Sequence, residues 1–211
     1  MLVSIVDYDT GNLESVARSV LFAAKNIKKK ITIKISKSPD VIFKSDKIIL
    51  PGQGSYKKCA DSIRRVNGLW SSLDSFAKYS GKYILGICVG MQLFSDYGFE
   101  EKITKGFGWI PGQVKKIKTK NRLIKLPHIG WNEINFKKKH SVFSGIKNLS
   151  HFYFVHSYEF KLKNNKNLLC STNYGYEFAS AVVKDNILGV QFHPEKSQDN
   201  GLRFLSNFLS L

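Results

Sequence analysis

Through the first ninety residues, short β-branched and apolar runs alternate with longer amphipathic ones, and few architectures accept that order. Leu2 to Val6, Ile31 to Ile35, Lys47 to Leu50 and Tyr83 to Ile87 read as strands. Leu13 to Lys25, Tyr56 to Val66 and Leu69 to Tyr79 read as helices between them. Strands and helices in turn predict an α/β protein with a mostly parallel central sheet and helices on both faces. Strand-like runs dominate the second half: Gly112 to Ile117, Trp131 to Phe136, Phe152 to Phe160, Leu168 to Ser171, Phe178 to Val183 and Ile187 to Phe192. Antiparallel strands are expected there, with a tight turn at Lys184-Asp185-Asn186. Ser197 is placed to cap a last helix whose apolar stripe is Leu202, Leu205, Phe208 and Leu209. No linker, repeat or low-complexity stretch divides the chain, so residues 1–211 are expected to form a single domain.

The segment Gly86-Ile87-Cys88-Val89-Gly90-Met91-Gln92 stands where the fourth strand should give way to a helix begun by Met91, Leu93 and Phe94. A Gly-x-Cys-x-Gly frame lets the chain bend sharply and lifts the side chain at the bend into the open, as in the hydrolase nucleophile elbow. Free N–H groups and the positive dipole end at a helix start favour a thiolate over a thiol. The usual fate of a lone cysteine is a buried structural role. Two glycines flanking the thiol at a strand–helix junction argue for a nucleophile instead.

A cysteine nucleophile needs a base to take its proton and return it to the leaving group, and histidine serves near neutral pH. The base needs an acceptor that fixes its tautomer. Far downstream, Gly189-Val190-Gln191-Phe192-His193-Pro194-Glu195 offers His193 and Glu195 two residues apart after an apolar strand. In extended chain such residues point the same way, and Pro194 biases His193 toward that geometry. Pro51-Gly52-Gln53-Gly54-Ser55-Tyr56 closes the third strand. Its glycines let backbone N–H groups approach a ligand, as an oxyanion formed by attack on an amide requires. A Pro-Gly-x-Gly turn alone is a weak signal; its weight comes from lying at a strand end, where open α/β sheets gather their active residues.

These three motifs, in this order, resemble the class I (triad-type) glutamine amidotransferases over essentially the whole chain. The resemblance implies that family's three-layer fold and hydrolysis of the side-chain amide of glutamine, with ammonia passed to a synthase. It makes Cys88 the nucleophile, His193 the base and acid, and Glu195 the orienting carboxylate. Val89 and the Gly52-Gln53-Gly54 turn would supply the oxyanion hole. Gln92 and Glu100 match positions that contact the substrate glutamine, and the backbone near Ser157 and Tyr158 would line its pocket.

Further segments are most similar to one branch of the family, the glutaminase subunits that serve imidazole glycerol phosphate synthesis in histidine biosynthesis. They are Asp7-Tyr8-Asp9-Thr10-Gly11-Asn12-Leu13, Pro127-His128-Ile129-Gly130-Trp131-Asn132, Tyr153-Phe154-Val155-His156-Ser157-Tyr158 and His193-Pro194-Glu195-Lys196-Ser197-Gln198. Gly90-Met91-Gln92 replaces the Gly-His-Gln common elsewhere in the class, and Asp9-Thr10 departs from the small residues or proline usual in the branch. That likeness implies a heterodimer with a (β/α)₈-barrel cyclase subunit, no cofactor, and Asn12, Trp131 and Lys196 at the partner interface. It also implies a subunit nearly silent until its ligand-loaded partner reorients an amide of the Gly52-Gln53-Gly54 turn. His128 is open between packing beneath the site and facing the partner. His156 reads as hydrogen-bonded core, and His140 and His151 need no role.

The formal net charge of +17 competes with an enzyme reading. Lysines cluster at 28–30, at 115, 116, 118 and 120, and at 137–139. Basic patches can bind nucleic acid. These are scattered, lack interleaved aromatics and fall between apolar segments like solvated loops. Cys59, Cys88 and Cys170 form an odd, sparse set without metal-ligand spacing, so neither disulfides nor a metal is expected, and Cys59 and Cys170 read as inert. The N-terminus has no basic leader and no run reaches membrane-span length, which with a working thiolate places the protein in the cytoplasm. A paralogue feeding another synthase, for instance in surface-sugar modification, and a non-catalytic basic binding module are the competing readings.

Overall fold

The computed structural model of the protein describes residues 1–9, 12–27, 30–118 and 124–211. Thr10, Gly11, Lys28, Lys29 and Lys120, singled out above, lie outside the described residues. The first half runs β1 (Leu2–Val6), α1 (Leu13–Ala24), β2 (Thr32–Ser36), α2 (Pro39–Lys44), β3 (Lys47–Leu50), α3 (Tyr56–Arg65), α4 (Leu69–Tyr79), β4 (Ile84–Ile87) and the single turn α5 (Val89–Gln92). The second half contains β5 (Tyr97–Gly98), β6 (Thr104–Lys105), β7 (Gly112–Lys116), β8 (His128–Glu133), β9 (Asn135–Phe136), β10 (His151–His156) and β11 (Tyr158–Leu162). It closes with β12 (Leu168–Asn173), β13 (Glu177–Lys184), β14 (Ile187–Val190) and α6 (Gln198–Ser210).

The main sheet has eight strands in the order β2-β1-β3-β4-β14-β13-β12-β9. The first five are mutually parallel and the last three alternate in direction, as expected from the two halves of the sequence. Every residue of β3, β4 and β14 is buried, while β2 at the edge is half exposed. Central parallel strands covered on both faces need that continuous apolar character. From β1 the chain steps one way to β2 and then back past β1 to β3 and β4. With right-handed crossovers this reversal puts successive helices on opposite faces. α1 packs on α6, and α2 and α3 pack on α4. The turn at Asp185 and Asn186 joins β13 to β14, with Asp185 in the left-handed region at φ 53°.

Two long β-runs are each broken between sheets. The Phe152 to Phe160 run splits at Ser157: β10 pairs with β8, whereas β11 joins a four-stranded sheet ordered β11-β7-β5-β6. Trp131 to Phe136 splits at the buried Ile134 into β8 and β9, which belong to different sheets. The short α2 has no counterpart in the sequence pattern; it buries only Ile42. Phe204 joins the buried stripe of α6, and Leu202 is only half-buried. Ser197 does occupy the N-cap position of α6, but its side chain caps nothing. Its hydroxyl donates to the His193 carbonyl at 2.6 Å and accepts from Tyr153 N–H at 3.0 Å. Among the described residues, no helix is long and apolar enough to cross a membrane.

The basic clusters are not solvated loops throughout. Lys115 and Lys116 lie within β7, and Lys115 stands 5.1 Å above the Phe99 ring. Lys137 is paired with Glu177 at 2.9 Å.

Candidate active site

Cys88 follows β4, the Gly52 turn follows β3 and His193 follows β14. These three strands are adjacent and parallel in the sheet, with Leu50 opposite Gly86 and Ile87 opposite Val190. Segments far apart in sequence therefore finish side by side at the carboxyl edge of the sheet, where α/β proteins place ligands.

The bend at Cys88 is strained. Its φ of 54° and ψ of −113° lie where a side chain is rarely tolerated. The flanking glycines make the bend possible by close approach. A Cβ on Gly90 would sit 1.9 Å from the Leu50 carbonyl oxygen, and one on Gly52 would sit 2.3 Å from the Gly90 nitrogen. The Pro51-Gly52-Gln53-Gly54 turn is thus in direct contact with the elbow. Tyr8, fully buried beyond β1, donates its hydroxyl to the Pro51 carbonyl and pins the same turn from the other side. The expected helix after Cys88 is a single turn, so dipole support for a thiolate is correspondingly small.

His193 holds an extended backbone at φ −102° and ψ 96°, as the following proline favours, and its N–H donates to the Tyr153 carbonyl at 2.9 Å. Glu195 lies in a 3-10 turn (Pro194–Lys196), not in extended chain as the spacing argument supposed. The pair forms nonetheless: Nδ1 of His193 donates to Oε1 of Glu195 at 2.7 Å, with the two side chains 7% and 4% exposed. That bond leaves Nε2 as the working nitrogen.

Burial alone would lower the His193 pKa. The charge of the Cys88 sulfur beside it, and then Glu195, outweigh burial and lift the pKa from 6.5 to about 10. Nε2 lies near enough to the Cys88 sulfur for hydrogen bonding as well as charge to contribute to that rise, although the two are not aligned as a regular hydrogen bond and Nε2 has no other partner among the described residues. Catalytic hydrogen bonds in unliganded sites are often loose in this way.

Cys88 is 5% exposed; its sulfur lies 3.9 Å from the Val155 carbonyl and accepts from Nε2 of Gln191 at 3.5 Å. It opens into a cleft of about 260 Å³ lined by Gly52, Gln53, Gly54, Val89, Gln92, Glu100, Ser157, Tyr158, His193 and Lys196, among others. Pockets for drug-sized ligands run from about 300 to about 1,000 Å³, so this one suits a smaller molecule such as an amino acid. Glu100 presents a carboxylate that accepts from Tyr56 N–H at 2.7 Å, and burial pushes its pKa up. A carboxylate in a partly dry cleft is a fit partner for an ammonium group.

Two histidines beneath the cleft are accounted for. Nδ1 of His156 donates to the Tyr158 carbonyl at 2.9 Å, so its Nε2 accepts from Nδ1 of His128 at 3.0 Å. Burial lowers their pKa values to about 3 and about 4 respectively. Both are neutral at physiological pH with the relevant nitrogens committed, and His156 is the hydrogen-bonded core residue its context suggested. His128 packs inward, stacked on Phe154 and Tyr174. Cys59 and Cys170 are fully buried, and burial pushes the Cys170 thiol far up.

The family description "Glutamine amidotransferase class-I" matches residues 5–210 of this chain. The chain belongs to the class I glutamine amidotransferase family. It is 49% identical over 211 residues to the imidazole glycerol phosphate synthase subunit HisH of Pelagibacter ubique, covering 100% of both chains. It is 42% identical to the subunit of the same name from Mesorhizobium japonicum, over 99% of this chain and 98% of that one. Among solved structures, a glutamine amidotransferase with 15% identity superimposes at a TM-score of 0.71 over 99% of each chain. At that identity the likeness speaks for the amidotransferase fold alone.

Outside the cleft, Asn12 caps α1, its Oδ1 accepting from Ser15 N–H at 3.2 Å. Asn12 also borders a small crevice behind the cleft with Gln53, Glu195 and Lys196. Trp131, 45% exposed, is not part of the cleft; it meets Tyr153 edge-on at 6.1 Å. Tyr153 in turn lies under the exposed Lys196 ammonium at 5.8 Å, so the three form one surface strip beside the site. The sequence reading missed Val155 and Gln191 as neighbours of the sulfur. Gln191 was within reach, because it stands two residues before His193 in extended chain, where alternate side chains share a face.

Proposed function

We propose that this protein is the glutaminase subunit of an imidazole glycerol phosphate synthase, folded as one domain over residues 1–211, and that Cys88, His193 and Glu195 are its catalytic triad. What carries the chemistry is the elbow thiol electrostatically coupled to an imidazole whose other nitrogen is held by a buried carboxylate. What favours this branch over a paralogue is likeness along the full length to subunits of that name.

The Cys88 thiolate attacks the carboxamide carbon of bound glutamine, and the carbonyl electron pair moves onto oxygen. Val89 N–H and an N–H of the Gly52-Gln53-Gly54 turn stabilise that oxyanion. As it collapses, the C–N bond breaks and protonated His193 delivers its Nε2 proton to the departing ammonia. A γ-glutamyl thioester remains. Neutral His193 then takes a proton from water, hydroxide adds to the thioester, and glutamate leaves as the thiolate and imidazolium are restored. Gln92, Glu100 and the backbone at Ser157 and Tyr158 hold the substrate.

Ammonia released into water at neutral pH is protonated and lost as a nucleophile. A partner that receives it directly avoids that loss. The reading therefore includes a cyclase subunit, a (β/α)₈ barrel, docked as a heterodimer over Asn12, Trp131 and Lys196. There the ammonia completes formation of imidazole glycerol phosphate and an aminoimidazole carboxamide ribotide. The cytoplasm supplies the reducing conditions a thiolate needs.

The test is glutamine hydrolysis by the purified chain alone, with a histidine-pathway cyclase, and with that cyclase plus its nucleotide substrate. Turnover that rises sharply only in the third mixture, and vanishes in Cys88→Ala, is the expected result. Activation by a different synthase would move the protein to a paralogous pathway. No turnover with any partner would leave only the binding-module reading.

A further inference from the structure

Gln191 is a polar side chain with 0% exposure, one step past β14 and two residues before His193. A buried primary amide must place two donors and an acceptor, and its neighbours here dictate which end is which. Nε2 of Gln92 donates to the Tyr158 carbonyl at 3.1 Å and to Oε1 of Gln191 at 2.9 Å. A carbonyl can only accept, so the Gln92 amide is fixed with its nitrogen toward Gln191. Gln191 must therefore turn its oxygen to Gln92 and its nitrogen the other way, where Nε2 lies 3.5 Å from the Cys88 sulfur. Its backbone is fixed as well, its N–H donating to the Ser180 carbonyl at 2.9 Å. The donor aimed at the sulfur is held at both ends.

We propose that Gln191 is a positioning residue that stabilises the Cys88 thiolate through this N–H, its own orientation being set, through its oxygen, by the Gln92 amide. The one-turn α5 supplies little dipole, and His193 Nε2 makes no aligned bond to the sulfur before substrate arrives. A neutral, permanently oriented donor adds to what the neighbouring His193 imidazolium does for the same sulfur. The same amide spans two jobs, because Gln92 lines the substrate cleft while Cys88 does the chemistry. The inference rests on the proposed role of Cys88 but not on the identity of the synthase.

The experiment is the pH dependence of Cys88 alkylation by iodoacetamide in the full chain, followed by mass spectrometry of the Cys88 peptide. Cys59 and Cys170 are fully buried and are distinguished by their own peptides. Gln191→Met keeps the size of the side chain and removes the donor. A hydrogen bond to a charged group carries enough energy that its loss should raise the midpoint of the alkylation profile by about one pH unit. That slows alkylation roughly tenfold below the midpoint. Gln191→Asn, which withdraws the amide by one methylene, should shift it in the same direction and serves if the methionine variant does not fold. An unmoved midpoint in either folded variant overturns the proposal, since a role confined to filling the core would leave the profile where it was. Alkylation reports on the sulfur without any turnover. A shifted profile in a chain that hydrolyses no glutamine with any partner would uphold the role of Gln191 and sink the glutaminase reading instead.

Discussion

Replacing Glu195 by glutamine is the sharpest perturbation of the triad, because it removes one charge and almost no volume. The bond from His193 Nδ1 to Glu195 is 2.7 Å long between side chains that are 7% and 4% exposed, so solvent cannot take the carboxylate's place. A hydrogen bond to a charged partner contributes about 1.5–3 kcal/mol, and one pKa unit corresponds to about 1.4 kcal/mol, so the imidazolium pKa should fall by roughly 1–2 units. From about 10 in the native chain, that brings it to about 8 or 9. A second effect acts on rate. With the amide nitrogen turned to Nδ1 the imidazole is held in the wrong tautomer, which in the serine-protease triad lowers kcat about 10⁴-fold; with the amide oxygen turned there the tautomer is kept and only the lost charge tells, so a loss of up to about 10⁴ is expected here.

His193 has a raised pKa in the fold, so its contribution to stability is complete below the ordinary value of 6.5 and fades as pH rises through about 10. The stability gap between native chain and Glu195→Gln should accordingly be widest at neutral pH and below, and narrow in alkali. Leaving-group protonation needs the same imidazolium, so the alkaline limb of kcat/KM should move down by about 1–2 pH units in the variant. The assay is steady-state glutamine hydrolysis across that range in the presence of the activating synthase partner. An alkaline limb that stays in place, with kcat within about threefold of native, would refute the coupling of Glu195 to the working proton.

Two other substitutions probe the scaffold and the substrate contact. Gly90→Ala drives a Cβ to 1.9 Å from the Leu50 carbonyl, where only backbone can yield. The cost should be about 2 kcal/mol or more, lowering Tm in a thermal melt by about 4–8 °C; an unchanged Tm would show that the elbow is not packed as described. Glu100→Ala should raise KM for glutamine about 10- to 100-fold with a much smaller change in kcat, if its carboxylate holds the substrate's ammonium group. A loss in kcat alone would place Glu100 elsewhere in the reaction.

Much of this was legible because the decisive signals are local. The parallel half is written as apolar runs between amphipathic ones, and the bounds of α4 agree to the residue. The elbow is written as two glycines around a cysteine, and both glycines are required by backbone contacts within 2.7 Å. What escaped is what local pattern cannot carry. Phe152 to Phe160 is β-forming throughout, and nothing in its periodicity marks Ser157 as the point where partner strands change. α2 is six residues long with one buried side chain, too short for a helical period to declare itself. Ser197 reads as a cap from its neighbours in sequence, yet its hydroxyl is drawn to Tyr153 and to the His193 carbonyl. Gln191 looks like one more strand residue until Gln92 and Cys88 are seen on either side of it.

The break at Ser157 bears on how such a cleft changes size. β10 is tied to one small sheet and β11 to another, and the residue between them lies on the cleft wall. Part of the room for a ligand is therefore set by the spacing of two separately hydrogen-bonded platforms. Trimming a wall residue deepens such a space locally. To accept a longer amide, a descendant of this protein would have to move one platform against the other.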